Sequence, residues 1–379
     1  MARPLKFPAL IDPFLLCLVA VVGGASLFPV RGEAAAATGV LADIAIGLLF
    51  FLHGAKLSRA SILQGAGNWR LHLLVLASTY ILFPVIGLAL SALLRGSADP
   101  LLLSGLLYLT LLPSTVQSSI AFTAMAGGNV AAAVCSASLS NLLGIALTPL
   151  LVGLFMHLPS GQSLSSWHSV QAIALQLLAP FIAGHLLRPV IGGFIDRHRG
   201  LLMPVDRGSI LLVVYSAFSA AVVNGIWSQV GPGDLLLLLA SSMAILAIVM
   251  GANALAARLA GLPRDDAIVL FFCGSKKSLV SGVPMAGALF PAAQVGMVIL
   301  PLMIFHQLQL FLCAAMAGRF ARGTGGADPV RPALPLDDDA IGRVALAKGL
   351  PIPESCMPGV RANLALLDRH AGILLAPQP

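Results

Sequence analysis

Apolar residues gather in ten runs, near 11–30, 38–57, 70–94, 102–126, 130–156, 169–187, 208–226, 235–257, 267–289 and 295–317. A helix needs about 20 residues to cross the hydrocarbon layer, so the pattern predicts ten membrane-spanning helices. Two runs are interrupted. In 102–126, Pro113 precedes a polar cluster of Ser114, Thr115, Gln117, Ser118 and Ser119. In 267–289, Ser275, Lys276, Lys277 and Ser278 follow Gly274, with Gly282 and Pro284 beyond them. Broken helices at mid-membrane are the means by which carriers build ion and substrate sites.

The runs divide five and five, about 11–156 and 169–318, across the turn-rich segment 158–167. Five is odd, so the second set enters the membrane upside down relative to the first. The interrupted run is the fourth of each set, as expected of an inverted repeat with a central site. The chain therefore reads as an all-α polytopic membrane protein with three parts: a first repeat, 1–157; a second, inverted repeat, 158–322; and a tail, 323–379. The tail opens on a Gly-, Pro- and Asp-rich linker. It then holds two weakly amphipathic stretches, around 338–349 and 360–375, and reads as a mostly disordered or loosely docked cytoplasmic segment.

Composition strengthens the membrane assignment. Of 379 residues, 58% are hydrophobic and 10% charged, against roughly 25% charged in soluble domains. The net charge of +7 could suggest nucleic acid, but its placement is topological. With the N-terminus in the cytoplasm, the inside loops hold thirteen Lys and Arg (Arg3, Lys6, Lys56, Arg59, Arg70, Arg188, Arg197, Arg199, Arg207, Arg258, Arg264, Arg319, Arg322) and the outside loops two (Arg31, Arg95). That asymmetry places both termini inside. Arg3 and Lys6 before an apolar run have the form of a signal peptide, but removing it would leave nine spans and disturb the charge count, so it is kept as the first span. Five cysteines (Cys17, Cys135, Cys273, Cys313, Cys356) lack metal-ligand spacing, and four lie within spans as expected buried small residues.

The candidate chemistry lies in the interruptions and beside them. A lysine at mid-span costs at least about 2.5 kcal/mol, so Lys276 and Lys277 are functional candidates. Hydroxyls and amides after Pro113 supply oxygen ligands for a small cation. In the fifth run, Ser138 and Asn141 share a helical face, with Ser140 beside them. In the tenth, His306 and Gln307, with Gln309, should border the ninth and could line a cavity or relay protons.

Pro113 with Ser118-Ser119, Gly128-Asn129-Val130 opening a serine-rich helix, and Thr148-Pro149-Leu150 closing it resemble the bile acid:sodium symporter family. The segments FLHGAKLS and GSKKSLVSGVPMA resemble its SBF-like branch, which includes bacterial transporters and a eukaryotic relative linked to calcium homeostasis. The resemblance covers roughly 8–320 and implies a core domain and a panel domain, with the fourth and ninth spans unwound and crossing in the core. In sodium-coupled members, a Ser-Asn pair on the fourth span, hydroxyls on the fifth and a Glu/Gln motif on the ninth hold two sodium ions. Here the pair is Ser118-Ser119, and lysines stand where the glutamate motif would be. What remains is a vestigial sodium site at Ser118, Ser119, Ser138 and Asn141. A tethered ammonium could take the ion's place, donating to Ser118, Ser119 or Asn141, while the second lysine faces the substrate path.

The expectation is a secondary carrier of a small organic anion in a bacterial inner membrane. It works by symport with proton or sodium as the coupling ion, and it has no cofactor and no nucleic-acid partner. The oligomeric state is left open. Two alternatives stand beside it: a transport-fold regulator of calcium homeostasis, and an intramembrane hydrolase using Ser275 or Ser278 with a lysine as a Ser-Lys dyad.

Overall fold

A computed structural model describes residues 13–56, 68–156, 167–322, 337–347 and 352–365. Among them there is no strand. The main unit, 1–321, begins with α1 (Pro13–Leu27) and α2 (Gly32–Lys56), followed by α3 (Trp69–Leu93). Next come two short helices, α4 (Pro100–Thr110) and α5 (Gln117–Met125), and then α6 (Val130–Phe155), α7 (Trp167–Arg197), α8 (Arg199–Val223) and α9 (Pro232–Leu259). A second short pair, α10 (Arg264–Cys273) and α11 (Leu279–Leu289), leads into α12 (Ala292–Arg322).

By length and composition, seven helices can cross a membrane: α2, α3, α6, α7, α8, α9 and α12. Large apolar side chains stand exposed along their outer faces, among them Ile44, Leu73, Ile81, Leu186, Val190 and Leu236. In water such a surface would drive aggregation; in lipid it is the solvated face. The protein is a multi-pass membrane protein. The interrupted runs of the sequence are the pairs α4/α5 and α10/α11, each separated by a non-helical joint, 111–116 and 274–278.

Helices α1, α2, α7 and α8 pack chiefly on one another, while α3 to α6, α9 and α10 pack around the joints. The α2–α7 contact is the closest. A Cβ on Gly54 would overlap the Phe181 carbonyl, and one on Gly184 would overlap the Phe51 carbonyl. Small residues of this kind let membrane helices meet backbone to backbone. An ion pair between Lys56 and Asp206 ties the end of α2 to α8, and the Arg188 guanidinium donates to the Ala55 carbonyl.

Two caps fix the ends of the broken pairs. Asp99 accepts from the Leu101 N–H at the start of α4, with Pro100 in the first turn, where a missing N–H is harmless. Asn129 caps α6 through the Ala132 N–H, and its amide donates to the buried Asp266 carboxylate in the first turn of α10. Asn68 donates to the same carboxylate. Three helix starts thus converge on one anion, where their positive ends favour it.

The second unit, 322–379, holds α13 (Asp338–Ala347) and a helical stretch over 357–365. Arg361 pairs with Asp338 within it. The rest of the expected second amphipathic stretch lies outside the described residues. One cysteine departs from expectation: Cys17 is exposed on α1, whereas Cys135, Cys273 and Cys313 are buried.

Candidate functional site

The first joint follows from its proline. Pro113 has no N–H to give Leu109, and the Ser114 N–H goes instead to the Ser140 hydroxyl, 3.1 Å away. The carbonyls of Leu109 and Thr110 thus lose their helical donors. In the second joint no proline is needed. The Lys277 N–H is taken by the Gln309 side-chain oxygen (2.8 Å) and the Ser278 N–H by the Pro113 carbonyl (2.9 Å). Ser278 then caps α11 through the Ser281 N–H.

The two joints lie against each other and exchange bonds. Ser114 donates to the Cys273 carbonyl (2.6 Å), Thr115 to Lys277 (2.9 Å) and Ser119 to Phe272 (3.4 Å). Neighbouring helices supply the rest. Ser78 of α3 donates to Gly274, Asn141 and Thr148 of α6 to Ser114 and Leu111, and Gln309 of α12 to Lys277. Non-helical backbone is tolerated at membrane depth only when its polar groups are met by protein or line a wet cavity. Here protein groups meet them.

Both lysines are 0% exposed, but their surroundings are opposite. The Lys277 Nζ donates to three main-chain carbonyls: Thr79 (2.9 Å), Thr110 (2.9 Å) and Leu112 (2.6 Å). The Phe83 ring centroid lies 4.1 Å away. Three acceptors call for three N–H donors, which only the ammonium form has. The Lys276 Nζ has no hydrogen-bond partner. It faces the rings of Phe122 at 4.3 Å and Phe272 at 5.6 Å.

The Thr79 carbonyl is available for a reason written in the sequence. Over Ser78–Leu82, α3 widens into a π-turn, in which the Phe83 N–H donates to the Ser78 carbonyl five residues back. The next bond in that register would run from residue 84 to Thr79. Residue 84 is proline, so the Thr79 carbonyl stays open for the lysine.

Residues 12–322 match the profile of the SBF-like CPA transporter family. The chain belongs to that family. It is 54% identical over 320 residues to YfeH of Escherichia coli, a protein named as a candidate symporter, covering 84% of this chain and 96% of that one. It is 51% identical to PA2026 of Pseudomonas aeruginosa, over 85% of this chain and 96% of that protein. The sodium/bile acid cotransporter 7 of Danio rerio is 28% identical over 79% of this chain and 90% of its own length. The protein is accordingly a membrane transporter and not an enzyme.

Within this SBF-like transporter the expected site residues separate into groups. Thr115, Ser119, Ser140, Asn141, Lys277 and Ser278 are joined by the bonds of the crossing. Ser275 turns back onto its own helix, donating to the Phe271 carbonyl (2.5 Å). Neither Ser275 nor Ser278 is hydrogen-bonded to a lysine amine, so no Ser-Lys dyad forms. Ser118 is half-buried and its hydroxyl has no partner. Gln117, the first residue of α5, is exposed, and Ser138 is half-buried outside the bonded set.

Two of the four residues expected at a vestigial sodium site, Asn141 and Ser119, are hydrogen-bonded to other groups. The Asn141 amide is engaged by the Ser114 and Ala137 carbonyls, and its oxygen accepts from Ser281. The Ser119 hydroxyl is turned to the Phe272 carbonyl. Neither ammonium donates to Ser118, Ser119 or Asn141. The main-chain carbonyls of Thr79, Thr110 and Leu112, left open by Pro84 and by the first joint, hold Lys277 instead. Among the described residues no group of three or more His, Cys, Asp or Glu could hold a metal.

On α12 the central side chain is Gln309 rather than Gln307. Fully buried, Gln309 clamps both the N–H and the carbonyl of Lys277, and its second amide hydrogen reaches the His306 Nδ1 at 2.8 Å. That donor fixes Nδ1 as the acceptor nitrogen of His306. Gln307 is half-buried with an unpartnered oxygen. The i, i+3 spacing of His306 and Gln309 was a usable signal, since it puts the two on one face. Tyr80 and Tyr108, both absent from the expected site, donate across the same region to the carbonyls of Ser140 (2.6 Å) and Gly282 (2.7 Å).

Proposed function

We propose that this chain is a secondary active carrier of a small organic anion, operating by alternating access in a bacterial inner membrane with both termini cytoplasmic. The chain crosses the membrane ten times in two inverted five-span sets, 1–157 and 158–322. The pairs α4/α5 and α10/α11 are the broken fourth and ninth spans. Helices α1, α2, α7 and α8 form a panel against which the core around the joints rocks. Charge asymmetry and the mutual packing of each helix group support this arrangement.

The observation that carries the proposal is the crossing itself: two broken helices bonded joint to joint, with buried lysines between them. Such a centre is positive, and the starts of α5 and α11 add partial positive charge, so it suits an anion. The two lysines divide the work. Lys277 is the internal cation of the core. Lys276, with nothing to accept its hydrogens, is the group that meets the substrate's negative charge or exchanges a proton during the cycle. Coupling to sodium through Ser118, Ser119, Ser138 and Asn141 is not part of this mechanism. The cotransporter name borne by the Danio rerio relative supports symport as the class.

The test is the melting temperature of the purified protein against a panel of organic anions, in sodium and in choline, at two pH values. A ligand at 100 times its Kd stabilises the folded state by about 2.7 kcal/mol. The expected result is a rise with one anion class that ignores sodium and depends on pH. A rise that requires sodium would overturn the coupling scheme, and binding of cations alone would overturn the anion.

A further inference from the structure

Lys277 sits in a setting with the features of a cation-binding site. Three carbonyl oxygens converge from two helices at 2.6–2.9 Å, and an aromatic face closes a further side at 4.1 Å. None of the three oxygens has lost its helical donor by accident. Pro84 leaves Thr79 open in the π-turn, the Ser140 hydroxyl draws the Ser114 N–H away from Thr110, and Leu112 lies in the non-helical joint just before Pro113. The backbone of Lys277 is itself fixed at two points by Gln309. Side-chain oxygens are absent from the set, so the cage would persist if the lysine were shortened.

We propose that this cage is a binding site for a primary ammonium ion, which the protein fills permanently with its own Lys277. The number of acceptors argues for ammonium over an alkali metal. Three N–H groups match three carbonyls one to one, and the Phe83 face accommodates the remaining charge. A bare sodium ion needs shorter contacts and more oxygens than the cage offers. The consequence for transport, which rests on the carrier reading above, is that the coupling charge at this position travels with the protein and is never released. The site is thus closed to exchange with either side of the membrane.

Shortening the side chain should open the site to a free ligand. Lys277→Ala removes three carbons and the nitrogen, the atoms of n-propylammonium. The melting temperature of detergent-purified Lys277→Ala should fall well below that of the native protein. It should recover substantially in n-propylammonium chloride, but not in equimolar tetramethylammonium or sodium chloride, and the native protein should show no such recovery. An equal response to all three salts, or a folded variant that responds to none, overturns the site. Preferential recovery in sodium overturns the ammonium assignment.

Should Lys277→Ala not fold, the native chain gives a second measurement. It has five lysines, so 15N-lysine labelling resolves each Nζ. One ammonium, identified by contacts to the Phe83 ring protons, should keep slowly exchanging hydrogens as the pH is raised past about 10, where exposed lysines lose theirs. Early loss of that signal overturns the proposal. Both measurements read stability or protonation and not transport, so a failed anion panel leaves them interpretable.

Discussion

Lys276 and Lys277 are neighbours in sequence, equally buried, and solvated in opposite ways. Around Lys277 the protein reproduces what water would give an ammonium, an oxygen for each hydrogen. Around Lys276 it gives two aromatic rings and no hydrogen-bond partner. Adjacent residues point about 100° apart on a helix, and the non-helical joint keeps the two side chains in separate surroundings, one toward α3 and α4 and the other toward α5 and α10. Burial alone therefore says little about what a membrane lysine does. The acceptors decide: a fully bonded ammonium is a fixed part of the structure, and an unbonded one is strained until a partner or a proton change relieves it.

The largest test of this contrast is a pair of substitutions. Lys277→Met should destabilise the protein by about 3–5 kcal/mol, because it leaves three buried carbonyls without donors. Lys276→Met should be neutral or stabilising, since replacing an unpaired buried amine with an apolar group removes a desolvation cost, while transport is lost. Chemical denaturation in detergent reads both, and equal losses would erase the distinction.

Next in size is Gln309→Ala, which removes both bonds to the Lys277 backbone and should cost about 2 kcal/mol. In a Lys277→Met background that loss should shrink, giving a coupling energy of about 1 kcal/mol in a double-mutant cycle. No such coupling is expected with Lys276→Met.

Pro84→Ala restores an N–H that can donate to the Thr79 carbonyl in competition with Lys277. A loss of about 1–2 kcal/mol is expected, even though proline-to-alanine changes inside helices ordinarily stabilise. A gain in stability would mean that the π-turn does not exist to serve the lysine.

The smallest effect separates the charge states of Lys276. Phe122→Leu removes one cation–π contact and should cost about 0.5–1 kcal/mol beyond its packing if Lys276 is charged. If Lys276 is neutral in this state, the substitution should add independently to Lys276→Met within about 0.5 kcal/mol.

Much of the crossing could be read from the chain because its causes are local. Pro113 cannot donate to Leu109, the serines and threonines after it are short-range acceptors and donors, and a lysine pair in an apolar run is conspicuous. The roles of the two lysines could not be read, because the acceptors of Lys277 are main-chain carbonyls nearly 200 residues away in α3, carried by Thr79, and 165–167 residues away around Thr110 and Leu112. Any side chain could stand at those positions. Only Pro84 hinted at one of them. The engagement of Asn141 and Ser119 was hidden for a related reason: they look like free groups in sequence, but in three dimensions they donate to the Ser114 and Phe272 carbonyls.

The close approach of α2 and α7, Gly54 against Phe181 and Gly184 against Phe51, bears on how the molecule is made. The neighbouring Arg188-to-Ala55 bond closes over 133 residues, and every span between them must be synthesised and inserted before α2 meets α7. Until then, the surface of α2 at Gly54 is open to any helix in the bilayer that can meet it backbone to backbone. Before α7 is made, this face of α2 lacks its partner. A chain that ends before α7 should pair with itself or with others through this face, and insertion of α7 is the step that commits it to being one protein.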